Sequence, residues 1–142
     1  SITTTAGLVD ALLVSGGSGG NQGNYGQGGA VKDGIRSLSA STHTVTVGSG
    51  GSLASNNPVA NYGGESVLGP HLSPRYSGRG ASAATTANEG AALSSAITGT
   101  SQTYGQRNLS SPRTNFGDGG DANHSGSSGT VIVRVPTAFD LT

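Results

Sequence analysis

Val9-Asp10-Ala11-Leu12-Leu13-Val14-Ser15-Gly16-Gly17-Ser18-Gly19-Gly20 carries a short apolar strand directly into glycine and serine. Side chains alternate between two faces along a strand. Val9, Ala11 and Leu13 therefore fall on one face, and Leu8, Leu12 and Val14, together with Asp10, fall on the other. Both faces are mostly apolar, which predicts a strand covered on both sides. No helix-forming segment follows the glycines. The same design recurs reversed near the other end, where Ser125-Gly126-Ser127-Ser128-Gly129 runs into Thr130-Val131-Ile132-Val133-Arg134-Val135-Pro136. Between them, Thr42-His43-Thr44-Val45-Thr46-Val47 leads into Gly48-Ser49-Gly50-Gly51. Short strands with glycine-rich connections predict an all-β domain, a small β-sandwich or jelly-roll-like form with long glycine-rich loops on display.

Composition sets the energetic frame. The chain has 142 residues, enough for a single domain over 1–142, and is compatible with a fragment of a longer chain. Only 32% of residues are hydrophobic and 4% aromatic, while glycines number 26. Glycine loses the most backbone freedom on folding. At about 25 cal/mol per Å² of buried apolar surface, an apolar core built from this composition is marginal. The expectation is a domain stabilised by neighbours in an assembly, including copies of itself as a homo-oligomer. Seven basic and seven acidic side chains are scattered along the chain, so the electrostatic footprint of a nucleic-acid binder is missing. No apolar run is long enough for a membrane span. With no cysteine, disulfides, thiolate metal sites and cysteine nucleophiles are excluded.

Residues 1–8 are threonine-rich and read as extended, 30–38 as an edge strand, and 66–69 as a very short strand before Pro70. Within 42–47, His43, Val45 and Val47 alternate with Thr42, Thr44 and Thr46, the pattern of one half-buried strand. His43 reads as a packed or interface histidine. Segments 16–29, 48–64 and 104–128 read as loops, whereas 81–97 is alanine-rich and its propensity permits a helix.

Candidate chemistry is sparse. Gly17 and Gly19 open a glycine pattern, but Gln22 stands where a dinucleotide-binding fingerprint needs its third glycine, and no helix follows. Asp118, Asp121, Asn123 and His124 group oxygen and nitrogen donors without the spacing of a calcium loop, so no metal site is assigned. No Gly-x-Ser-x-Gly elbow is present, and no carboxylates pair on the expected strands. The chain is therefore expected to be neither an enzyme nor the holder of a cofactor. Tyr25, Tyr62, Tyr76 and Tyr104 all lie among serine, glycine and asparagine, the composition of adaptable binding loops. Arg75 with Tyr76, and Tyr104 with Arg107, are the candidate contact residues. The alternative for each tyrosine is that it plugs a thin core.

Taken in order, the strand-to-glycine segment 9–20, Thr44-Val45-Thr46-Val47-Gly48-Ser49-Gly50-Gly51 and the closing segment 126–136 resemble the glycine-rich domain of bacteriophage tail proteins. The resemblance covers most of the chain. It implies a virion protein, a tail-fibre, minor tail or tail-tip module that binds other virion proteins and a host-surface glycan or protein. A small decoration protein that cements a capsid or tail shell is the alternative. The chain departs from the family pattern in its alanine-rich 81–97 and in having little strand before the first motif. The first departure argues against tightly packed glycine helices.

Overall fold

Short strands give way to glycine-rich tracts, and this simple alternation organises the molecule. A computed structural model describes residues 1–5, 7–21, 25–53, 62–73 and 92–135. Ten strands are present among them: β1 (Ile2–Thr4), β2 (Gly7–Val14), β3 (Val31–Leu38), β4 (Ser41–His43), β5 (Val45–Thr46), β6 (Ser66–Leu68), β7 (His71–Ser73), β8 (Leu93–Ser95), β9 (Gln102–Tyr104) and β10 (Thr130–Arg134). They form four small antiparallel sheets: β1-β4, β10-β2-β3, β5-β6-β7 and β8-β9. The all-β expectation holds.

The central strand β2 is covered on both faces, as its alternation requires. Val9, Ala11 and Leu13 pack with Leu38 and Leu68, and Ile2, Val45, Val131 and Val133 close that cluster. Leu12 and Val14 pack on the other side with Ile97 and Tyr104, flanked by Val31, Phe116 and Ile132. Leu8, at the strand's open end, is exposed. β3 is the edge strand expected of 30–38, and the short strands at 2–4 and 66–68 also stand where the sequence put them.

Two expectations need correction. The 42–47 stretch is not one strand: Thr44 separates β4, which pairs with β1, from β5, which pairs with β6. Changing partner breaks the two-residue alternation, so His43 is buried while Val47 is 49% exposed. His43 Nε2 lies 2.9 Å from the Ser39 carbonyl, as suits a packed histidine. Of the alanine-rich 81–97, only 92–97 are described, and they contain strand β8 rather than helix.

The larger correction concerns the glycine tracts, which are not display loops. Residues 11–21 are buried without interruption, as are 26–29 and 117–120. These segments pack backbone against backbone with a period of three. Ser15 and Ser18 donate their amides to the carbonyls of Ala30 and Gln27. Gly17 and Gly20 donate to Ser127 and His124, and Gly26 and Gly29 donate to Gly120 and Gly117. Each pair steps by three residues on both partners. Three residues per turn is the repeat of extended polyproline II-type backbone, which makes no internal hydrogen bonds and must find them in its neighbours.

The repeat assigns a role to each position of Ser15-Gly16-Gly17-Ser18-Gly19-Gly20. Ser15 and Ser18 face 26–30, and their hydroxyls accept the amides of Ala30 and Gln27 at 2.8 and 2.7 Å. Gly16 and Gly19 abut the backbone of Ser49 and Ser52, while Gly17 and Gly20 abut Asp118 and Asp121. Segment 15–21 is thus the axis of a bundle whose other members are 26–30, 48–52, 63–64, 105–109, 117–121 and 125–129. Tightly packed glycine segments form here despite the alanine-rich 81–97. Hydrogen-bonded backbone is thus buried where side chains fill an ordinary core.

Candidate functional site

The bundle grows out of the sheets. β2 continues into 15–21, β5 into 48–52 and β9 into 105–109, while 26–30, 63–64 and 125–129 lead back into β3, β6 and β10. The paired steps fix directions: 48–52 and 117–121 run parallel to 15–21, and 26–30 and 125–129 run antiparallel to it. Residues next to 21, 25, 53 and 121–125 consequently share the end of the bundle farthest from the β2 sheet.

This tip is cross-linked. The amide of Leu53 donates to Ser125 Oγ at 3.0 Å, joining two chain reversals. In the 121–124 turn, Asp121 Oδ1 accepts the Asn123 amide at 2.8 Å and lies 2.6 Å from His124 Nδ1. The His124 side chain, and then the Asn123 amide, hold the Asp121 carboxyl below its ordinary range. Tyr25 is 54% and Leu53 40% exposed at this end. A large aromatic and a large aliphatic side chain beside solvated polar groups are suited to contact with a surface, since aromatic anchors with a polar rim dominate recognition. Asp118 does not join Asp121 and His124. Its buried carboxylate accepts Arg113 Nε at 2.8 Å and Nη2 at 2.9 Å, and the amides of Gln106 and Arg113 at 3.1 Å each. Among the described residues no group of three potential ligands converges for a metal ion.

The structure separates the four residues expected to form a contact surface. Arg75 and Tyr76 lie outside the described residues. Tyr104 is 3% exposed, so it plugs the core, the alternative weighed for the tyrosines. Its ring stacks on Phe116 at 5.0 Å between centroids, and the Arg113 guanidinium lies 4.2 Å from the Phe116 centroid on its way to Asp118. Burial chiefly raises the Tyr104 pKa, with Arg113 opposing the shift. Arg107 is exposed on the flank of the bundle, next to Asn108, whose amide donates to Gly26. Sequence reasoning passed over Leu53, although an apolar residue between a glycine-serine tract and Asn56-Asn57-Pro58 was a signal for one placed at a turn.

Comparison with protein-family models, curated proteins and solved structures gave no match. Among the described residues no helix is long and apolar enough to cross a membrane. What the molecule defines is a class: an all-β base carrying a bundle of buried, mutually hydrogen-bonded glycine segments, with Asn21, Tyr25, Leu53 and the 121–125 turn at its far end.

Proposed function

We propose that this chain is a virion structural module, a phage tail-fibre or tail-tip domain whose bundle tip meets the host surface. The observation that carries the reading is that Tyr25, Leu53 and the 121–125 turn share one end of a buried, cross-bonded bundle. A stalk that holds such side chains side by side gives a receptor a fixed constellation at small entropic loss on binding. The motif order of the sequence supports the same assignment. Other virion proteins and further copies of the chain would hold the sheet end, and the reading contains no catalytic step or cofactor.

The experiment is adsorption to host cells by particles carrying Tyr25→Ser and Leu53→Ser together, compared with the parent. Reduced adsorption with an unchanged melting temperature of the purified chain is the expected result. Unchanged adsorption would refute attachment through the tip. Antibody labelling of intact particles locates the chain, and labelling of a capsid or tail shell would replace this reading with that of a decoration protein.

A further inference from the structure

A groove of about 440 Å³ lies away from the tip, between edge strand β3 and the β6–β7 hairpin, lined by Lys32, Ile35, Arg36, Ser37, Pro70 and His71. From this groove we infer a binding site for a tetrahedral oxyanion, a phosphate or sulfate group.

The two faces of the β2 sheet separate its charges. Leu38 packs in the cluster with Val9, Ala11 and Leu13, so the even positions of β3, including Lys32, Gly34 and Arg36, face the β5-β6-β7 side. Val31 packs with Leu12 and Val14, so Asp33 and Asp10 belong to the opposite side, where Asp33 acts electrostatically on Tyr104. The groove lining itself carries two cations, Lys32 and Arg36, and no carboxylate. Neither Lys32 nor Arg36 has a carboxylate partner among the described residues, whereas Arg113 is paired with Asp118.

Gly34 leaves the strand without a side chain between the two cations. It stands midway between Lys32 and Arg36, which are about 13 Å apart along the strand at roughly 3.3 Å per residue. Its φ of 146° keeps most side chains out, and a β-carbon there would meet nothing nearer than Arg36 Nη1 at 3.5 Å. Arg36 is held in place, since its Nη1 donates to the Ile35 carbonyl at 3.0 Å. His71 is likewise positioned, with Nε2 2.8 Å from the Ser37 carbonyl. Those two contacts occupy outward carbonyls of the edge strand, so the same side chains also obstruct addition of a further strand. A planar carboxylate presents two oxygens in one plane. Cations arriving from both ends of a strand segment match an anion with oxygens on several sides, and arginine recognises phosphate geometry directly.

The test titrates the full chain with inorganic phosphate, and separately with sulfate, following amide shifts by NMR against sodium chloride at equal ionic strength. Saturable shifts confined to 32–37 and 70–71 are expected, about tenfold weaker in Arg36→Ala and intermediate in Arg36→Lys, which keeps charge but loses the fork. Lys32→Ala, at an exposed position, is expected to weaken binding without altering the fold, and Arg134→Ala, on the opposite face, to leave it unchanged. Shifts reproduced by chloride, spread over the chain, or undiminished in both Arg36→Ala and Lys32→Ala overturn the site. The outcome is independent of adsorption at the tip.

Discussion

Adding one methyl group at the centre of the bundle tests whether packed backbone is the true core. In Gly17→Ala, the new β-carbon would lie 2.6 Å from the Gly117 carbonyl oxygen and closer still to that of Asp118. Ordinary contact needs about 3.4 Å or more, so segment 117–121 must retreat by about 1 Å. The obstacle is backbone and cannot rotate aside. Retreat also strains the hydrogen bonds that Gly17 shares with Ser127 at 2.9 Å and with Gly51 at 2.8 Å, and the one from the Ser127 amide to Asp118 at 2.8 Å. Overpacking typically destabilises by about 1–3 kcal/mol, and each weakened bond by about 1 kcal/mol. Together they give about 4–6 kcal/mol, a large part of the total stability of a domain this size. At about 3–4 °C per kcal/mol, the melting temperature falls by about 12–24 °C. Gly7→Ala is the control, because a β-carbon there meets nothing within 4 Å. It should change stability by less than about 1 kcal/mol, in the stabilising direction. Gly64→Ala, whose nearest contact would be the Ser49 nitrogen at 3.1 Å, belongs between the two. Urea unfolding followed by circular dichroism and tyrosine fluorescence measures all three. If Gly17→Ala unfolds within 1 kcal/mol of Gly7→Ala, the bundle is not what holds the molecule together.

Four further outcomes follow from the ionisable and aromatic groups. Arg113→Ala strands the buried Asp118 carboxylate and should destabilise by about 2–4 kcal/mol in urea, with Arg113→Lys recovering only part because it cannot span both carboxylate oxygens. Tyr104→Ala removes a buried ring stacked on Phe116 and should lose about 3–5 kcal/mol; Tyr104→Phe should keep most of it. Because burial raises the Tyr104 pKa, its contribution is present below pH 10.0, the unfolded value, and is lost as pH climbs through the folded one, so the parent should lose more stability in alkali than Tyr104→Phe. For Asp121 the sign is opposite. Its pKa is lowered from 3.8, so the contribution of the 121–124 turn is present above that value and lost as pH falls through the lower folded one. A carboxyl NMR titration should place the Asp121 midpoint below 3.8, and a midpoint at or above that value would contradict the turn geometry.

The β elements were legible because they obey local rules. In 9–14 the two-residue alternation names both neighbours of β2 before any neighbour is known, and Val131, Ile132 and Val133 do the same for β10. The bundle was less legible, although Ser15-Gly16-Gly17-Ser18-Gly19-Gly20 states its three-residue period in plain form. Glycine in a sequence is ambiguous: freedom in a loop and room for a neighbouring backbone need the same missing side chain. Only the partners decide, and they come from segments as far away as 117–121 and 125–129. Tyr104 failed as a contact residue for a related reason, since nothing local to it announces Phe116, Arg113 and the closed face of β2.

By itself, then, the sequence determined an all-β chain, a central strand buried on both faces, and too little apolar surface for an ordinary core, because each of these depends on side-chain type and near-neighbour spacing. Tertiary structure alone decided that the glycine tracts are interior, which reversals share the tip, and which charges remain unpaired beside β3. Those properties arise from hydrogen bonds and contacts between segments far apart in the chain, where backbone amides and carbonyls are chemically alike at every residue but proline.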